Sequence, residues 1–205
     1  MNEPAASPPA KPKMSPVARI IIAVAGVVAM VGGILQIKKG MGEMAGMDPA
    51  VESLTKESDA ALADGNRATL EGAPLFQAAL EAIDKDGLDA VRANRKADVQ
   101  KAGTLFGKAA ENFRLAAKKL DEAGALEAAG KLKAVFAAKS RSYLRYAEVK
   151  AINQEICASV LDESLKTMNE VQPKILADAK RRDDLQKVGD AATAEAQKLA
   201  DEMKK

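Results

Sequence analysis

Residues 99–126 read VQKAGTL FGKAAEN FRLAAKK LDEAGAL when the chain is written in sevens. A large apolar residue opens each heptad, and an alanine follows three positions later. The large residues are Val99, Phe106, Phe113 and Leu120, and the small ones are Ala102, Ala109, Ala116 and Ala123. Such a 3.5-residue period is typical of helices that pack lengthwise in bundles and coiled coils. We therefore predict a long helix with an apolar seam that organises an all-α fold.

The alternation of large and small side chains lets a second helix lie close to this seam. That second helix can belong to the same chain, which we favour, or to another copy in an intermolecular coiled coil. The composition agrees with long helices, because the chain is 47% hydrophobic and 29% charged but only 3% aromatic. We expect an elongated antiparallel bundle, with coiled-coil-like packing, over residues 49–205.

The remaining helices are predicted from their start and stop signals. Asp48 and Pro49 favour a helix start, and Gly65 favours an end near residue 64. Pro74 favours the start of a second, short helix. After the seam, residues 125–172 form one helix, or two if the chain breaks at Gly130, and Pro173 is predicted to end that stretch. A last helix is expected over 174–204, which makes three long helices and one or two short ones.

An uncharged stretch, IIIAVAGVVAMVGGILQI, occupies residues 20–37 between Arg19 and Lys38. A helix of this length spans roughly 27 Å, which is close to the hydrocarbon core of a bilayer. We predict a transmembrane anchor over 20–39, a disordered proline-rich tail over 1–19 and a Met- and Gly-rich linker over 40–48.

Small residues recur every four positions inside the predicted anchor, at Ala25, Ala29 and Gly33. This spacing is typical of membrane helices that pair closely, although it also fits an anchor that only fills the bilayer. Basic residues flank both ends of the anchor almost equally. We expect the tail in the cytoplasm and the bundle outside a bacterial cytoplasmic membrane, because the first flank has fewer acidic residues.

Charge makes nucleic acid an improbable partner for the predicted bundle. The chain has 31 basic and 29 acidic residues, but the segment before residue 40 contains Lys11, Lys13, Arg19, Lys38 and Lys39 and only one acid, Glu3. The rest of the chain is therefore close to neutral, and it contains no nucleic-acid-binding motif. We predict a membrane-integral protein with a protein partner or a second copy as its contact, and no nucleic acid.

One stretch of the predicted bundle has charges of a single sign. Residues 128–147 contain five cations and no acid, together with two tyrosines. At 100° per residue, Lys139 falls inside the apolar arc, so it must extend to solvent, pair with an acid or meet a ligand. We interpret this stretch as a solvated face or as a contact for an anionic ligand or a partner. The candidate contact residues are Lys131, Lys139, Arg141, Tyr143, Arg145 and Tyr146.

The residue types exclude several classes of catalyst and cofactor site. The chain has no histidine, which excludes Ser-His and Cys-His nucleophiles and histidine-ligated metals. Its single cysteine, Cys157, lies in an apolar run and is predicted to be buried. Met41, Met44 and Met47 are soft sulfur donors that suit Cu(I), but methionine is also common at membrane boundaries. Apart from Cu(I) binding by these methionines, which we keep as an alternative, we predict no catalytic residues, no cofactor and no metal ligands.

These observations predict a non-catalytic, single-pass membrane protein that acts as a helical scaffold or adaptor for protein partners. A membrane-anchored sensory or ligand-binding bundle is the main alternative, with the basic stretch as its binding site. Binding of a soft metal by the methionine run is a further, weaker alternative.

Overall fold

The computed structural model describes residues 47–203, which form an all-α packed bundle, as predicted. Its helices are α1 (Pro49–Asp86), α2 (Leu88–Asn94), α3 (Lys96–Ala125), α4 (Leu132–Leu161) and α5 (Met168–Glu202), with a 3₁₀ turn at Glu127–Ala129. None of the helices in this range is both long and apolar enough to cross a bilayer. The predicted tail and anchor, and nearly all of the predicted linker, lie outside the described residues.

Each long helix packs against the next long helix along the chain and runs in the opposite direction. Residue numbers rise along one helix as they fall along its neighbour, which defines the antiparallel register. The pairs that set it are Ser58 with Ala116, Gly72 with Leu105, Gly103 with Cys157, Gly124 with Phe136, Arg181 with Glu155 and Arg141 with Glu195. The short connections favour this up-and-down order.

The predicted break at Gly65 and the predicted start at Pro74 are both wrong, because α1 is one continuous helix through both residues. Gly65 permits close packing instead of a turn. A Cβ atom at this position would lie 3.2 Å from Cδ2 of Phe113, so the missing side chain makes room for the aromatic ring. Pro74 faces solvent, and the packing of α1 on α3 outweighs the single backbone hydrogen bond that proline removes.

Of the two alternatives left open for residues 125–172, the structure shows the break at Gly130, which has a φ of +48°, in the left-handed region that favours glycine. Pro173 does not end the preceding helix, because α4 ends at Leu161 and Pro173 lies inside α5. The α5 start is instead a capping box, in which Thr167 caps the helix and its backbone N–H donates to Glu170 (3.0 Å). The described chain therefore has four long helices, where three were predicted.

All positions of the heptad seam are buried inside this bundle. Val99, Phe106, Phe113 and Leu120 have exposures of 2% or less, and the alanines between them are fully buried. The Phe106 ring packs edge-on against Phe76 of α1, with ring centroids 5.6 Å apart. Helices of the same chain cover the seam, because α3 lies between α1 and α4.

An arginine of α2 caps the C-terminus of α4. Arg92 Nε donates to the carbonyl of Val160 (2.8 Å), and Arg92 Nη2 donates to the carbonyl of Asp162 (2.6 Å). Carbonyls at a helix C-terminus lack intrahelical donors, so a cation that donates to them is doubly favourable.

We expect Arg92→Ala to lower the free energy of unfolding by about 1–3 kcal/mol, since two charge-assisted hydrogen bonds are lost. Urea unfolding followed by circular dichroism measures the change. Arg67→Ala is the control, because Arg67 makes an exposed ion pair with Asp64 (3.4 Å) that contributes at most about 1 kcal/mol. Equal losses in the two variants would contradict a capping role for Arg92.

Candidate functional site

The candidate site lies on α4, which is buried around much of its circumference and carries polar side chains into the core. Lys139, Ser142, Lys150 and Asn153 all have exposures of 5% or less. Backbone groups of a helix interior are already paired, so each buried side-chain group needs a partner of its own. The partners that the structure provides differ sharply along the helix.

Lys139 is 5% exposed and faces Asp59 of α1. Burial lowers the pKa of Lys139 to about 8, and the Asp59 carboxylate opposes this decrease. Beside it, burial raises the pKa of Tyr143, and the negative charge of Asp59 raises it further. Of the fates predicted for Lys139, the structure therefore shows interaction with an acid on a neighbouring helix.

Tyr146 joins α4 to α5 through a polar network. Its hydroxyl donates to Asp190 Oδ1 (2.9 Å) and contacts Thr193 Oγ1 (3.1 Å). Ser142 Oγ donates to the carbonyl of Gly189 (3.0 Å). A Cβ atom at Gly189 would lie 2.9 Å from Cε1 of Tyr146, so this glycine makes room for the ring. Burial raises the pKa of Tyr146 to about 12, so the phenol stays protonated near neutral pH.

The other three candidate residues lie on the outside of the bundle. Lys131 is exposed just before α4 begins. Arg141 donates to both carboxylate oxygens of Glu195 on α5 (2.9 Å each), and Arg145 pairs with Glu148 on its own helix (2.9 Å). The structure thus separates the six candidates into three buried and three surface residues and does not bring them together. A ligand contact through them stays a prediction.

A second set of buried polar residues, which the sequence analysis missed, lies on α4 and α5. Lys150 and Asn153 of α4 and Arg182 of α5 have exposures of 1%, 0% and 1%, and the ion pair between Arg181 and Glu155 places Arg182 at nearly the height of Asn153. We refer to these three residues as the Lys150 cluster. Arg182 Nε and Nη2 donate to Asp183 Oδ1 (3.0 and 2.7 Å). Arg182 Nη1 and both side-chain polar atoms of Asn153 are buried without a partner in the described residues.

The Lys150 cluster has an excess of positive charge. Within residues 47–203, no carboxylate lies within ion-pair distance of Lys150. Burial lowers the pKa of Lys150 to about 7, and the positive charge of Arg182 lowers it further. In the part of the chain that the structure describes, Asp183 is the acid that pairs with the cluster, and its side chain is 44% exposed. Only Arg182 pairs with this carboxylate, so Lys150 is buried without an ion-pair partner among the described residues.

The spacing of residues along α4 could have indicated that Lys150 and Asn153 are buried. Tyr143, Tyr146, Lys150, Asn153 and Cys157 follow one another at intervals of three and four, which is the period of a buried seam. Polar residues at such positions are the informative exceptions. Cys157 is buried, as predicted, and burial raises its thiol pKa to about 12, so the thiol is unreactive near neutral pH.

The methionine run lies mostly outside the described residues. Met41 and Met44 precede residue 47, whereas Met47 packs against the apolar core beside α1. The apolar contacts of Met47 favour a packing role for that residue. Comparisons of the whole chain with protein-family models, with curated proteins and with solved structures found no match.

Proposed function

We propose that this chain is a non-catalytic, single-pass membrane protein whose helical bundle acts as a scaffold for protein partners. The apolar stretch 20–37 supports the membrane attachment, and the bundle follows it after the short segment 40–48. In this proposal the bundle is elongated and is held at the membrane by the anchor, with Ala25, Ala29 and Gly33 available for pairing between copies.

The observation that carries the scaffold role is a pair of exposed leucines on adjacent helices. Leu115 of α3 and Leu144 of α4 are 45% and 42% exposed. Gly124 packs against Phe136 and Gly103 against Cys157, and this register places residues 115 and 144 at nearly the same height. We call this surface the Leu115/Leu144 face. Burial of adjacent leucines by a partner removes apolar area from water, which favours association.

The charges beside this face indicate the chemistry of the partner. Arg114 and Lys118 are exposed on α3, one on each side of Leu115 along the helix. A polar rim of complementary charge orients a complex around an apolar centre. Glu111 is also exposed, one turn before Leu115, so the expected partner surface is an apolar patch with acidic side chains opposite Arg114 and a basic one opposite Glu111.

Site-specific photocrosslinking in membranes of the host cell tests this proposal. A photoreactive amino acid at Leu115 or Leu144 is expected to give a discrete adduct, because a bound partner covers both positions. The control is the same amino acid at Val188, which is 52% exposed on α5. The adduct mass distinguishes a second copy from another protein. Absence of adducts at positions 115 and 144, or the same adducts at 188, would refute the proposed face.

The Lys150 cluster supports a second function, the binding of an anionic ligand inside the bundle. Buried donors without protein partners are rare in folded chains, since each one carries a desolvation penalty of about 1–3 kcal/mol. A ligand that accepts hydrogen bonds from them removes this penalty and stabilises the bundle. A membrane-anchored bundle with such a site can act as a sensor. Soft-metal binding through Met41, Met44 and Met47 is a weaker proposal.

A further inference from the structure

We infer that the Lys150 cluster is a binding site for a small monovalent anion such as chloride, held in the bundle core between α4 and α5. This inference rests on the second function proposed above, the binding of an anionic ligand. It is independent of the scaffold function, which concerns the outside of α3 and α4.

The donors of the site come from two helices. Lys150 presents its ammonium group, Arg182 presents Nη1, and Asn153 presents Nδ2. The last two groups are buried without a partner among the described residues, and no hydrogen bond or ion pair holds the ammonium there. An anion that accepts from all three groups replaces the water that each lost on folding.

The charge of the ligand follows from the charges that surround it. Below about pH 7, where Lys150 is protonated, Lys150 and Arg182 each contribute one positive charge, and Asp183 contributes one negative charge through its bonds with Arg182 Nε and Nη2. A single negative charge therefore balances the cluster. A polyvalent anion would instead leave buried negative charge uncompensated.

The size of the ligand follows from the enclosure of the site. Asn153 is fully buried, and Lys150 and Arg182 are 1% exposed. Both cations lie at the ends of long flexible side chains, so their heads can adjust around one small ion without movement of the helices. The low exposure of all three residues favours a small ion over an organic anion with a body of several carbons.

Anion binding is coupled to the protonation of Lys150. Arg182 on α5 is the charged group that acts on Lys150 electrostatically. The charged groups of the helices at the same height, Asp64 and Arg67 on α1, Lys108 and Glu111 on α3 and Glu148 on α4, are exposed or partly exposed. The bound anion favours the charged form of Lys150, so its binding strengthens as the pH falls through the pKa of Lys150, which is about 7 in the folded chain.

Thermal unfolding of the full-length chain in a non-ionic detergent tests the site. The melting temperature is measured by circular dichroism in sodium chloride and in sodium gluconate of equal ionic strength, at pH 6.5 and at pH 9.5. With chloride at tenfold its Kd or more, we expect a Tm that is about 2–4 °C higher in chloride than in gluconate at pH 6.5. The difference should shrink at pH 9.5, where Lys150 is neutral.

Variants identify the residues responsible. Lys150→Met and Arg182→Met are each expected to abolish the difference between chloride and gluconate. The matched control is Arg181→Gln, because Arg181 is the neighbouring residue but points outward to Glu155 (3.6 Å) and should keep the difference. A chloride effect that survives in Lys150→Met would overturn the inference, even if Arg182→Met fails to fold.

Further outcomes separate this inference from the function on which it rests. Identical wild-type melts in chloride and gluconate would overturn the chloride site and would indicate that water alone pairs with the cluster. If phosphate then stabilises the wild type but not Lys150→Met, ligand binding stands and the small-anion assignment is wrong. If chloride, nitrate, acetate and phosphate all leave the melt unchanged, both proposals fail.

Discussion

Phe113→Ala is expected to lower the free energy of unfolding by about 3–5 kcal/mol. Phe113 is 1% exposed, and its ring packs edge-on against Tyr143 and Tyr146 of α4, with centroids 6.5 and 6.0 Å apart. On its other side the ring lies against Gly65 of α1. The cavity left by the substitution has walls from three helices, so it cannot collapse by movement of one side chain.

Urea unfolding of the full-length chain measures this loss. Leu115→Ala is the matched control, since Leu115 lies two residues further along α3 but is 45% exposed. We expect a change of at most about 0.5 kcal/mol for that variant. Similar losses at positions 113 and 115 would show that the seam does not organise the core.

Lys150→Met is expected to raise the free energy of unfolding by about 1–4 kcal/mol at pH 7 in gluconate buffer. The substitution replaces a buried cation by an apolar side chain of similar length. It also removes the electrostatic repulsion between Lys150 and Arg182. This repulsion contributes, after burial, to the lowered pKa of Lys150. Arg181→Gln is again the control, and it should change stability by less than about 1 kcal/mol.

The same variant should change how stability depends on pH. The pKa of Lys150 is about 7 in the folded chain and about 10.4 in the unfolded chain. Between these values the unfolded chain binds a proton that the folded chain does not, so wild-type stability rises with pH. Below pH 7 Lys150 is protonated in both the folded and the unfolded chain, so the folded chain carries the full free-energy cost of a buried charge.

We therefore expect a flatter pH profile for Lys150→Met between pH 7 and 9.5. Two other groups set the remaining slope of the variant. The lowered pKa of Lys139, about 8, makes stability rise with pH, whereas the thiol of Cys157 ionises at about pH 8.5 only in the unfolded chain and makes stability fall. Both effects are also present in the wild type, so the difference in slope between the two chains reports Lys150. The series stops at pH 9.5, since tyrosines of the unfolded chain ionise near pH 10 while Tyr146 stays protonated in the fold. Equal slopes for wild type and variant would contradict the burial of a titrating lysine.

The fold class was predictable because helical periodicity is a local property. The seam from Val99 to Leu120 repeats over several turns, and a repeat of that length has few interpretations. The helix count was not predictable in the same way. Gly65 and Pro74 have strong local preferences for ends and starts, but contact with α3 keeps α1 continuous through both. Thr167 and Glu170 form a capping box at the start of α5, but our prediction did not use this pair and placed the start near residue 174.

The candidate site was predictable only in part. The position of Lys139 within an apolar arc predicted that it would need a partner, but Asp59, the acid that acts on it, lies in another helix far away in sequence. The six candidates also share one stretch of sequence, yet they face inward and outward by turns. Proximity along a helix is therefore a poor guide to a shared site.

The sequence by itself determined the helical class, the buried seam and the burial of Cys157, because each depends on residues within a few turns of one another. Only the tertiary structure decided that α1 is continuous, that the chain breaks at Gly130, that Arg92 caps α4 and that Lys150 and Arg182 act on each other in the core. The physical reason is that the energy of a buried polar group depends on the helix that covers it, and that helix comes from a distant part of the chain.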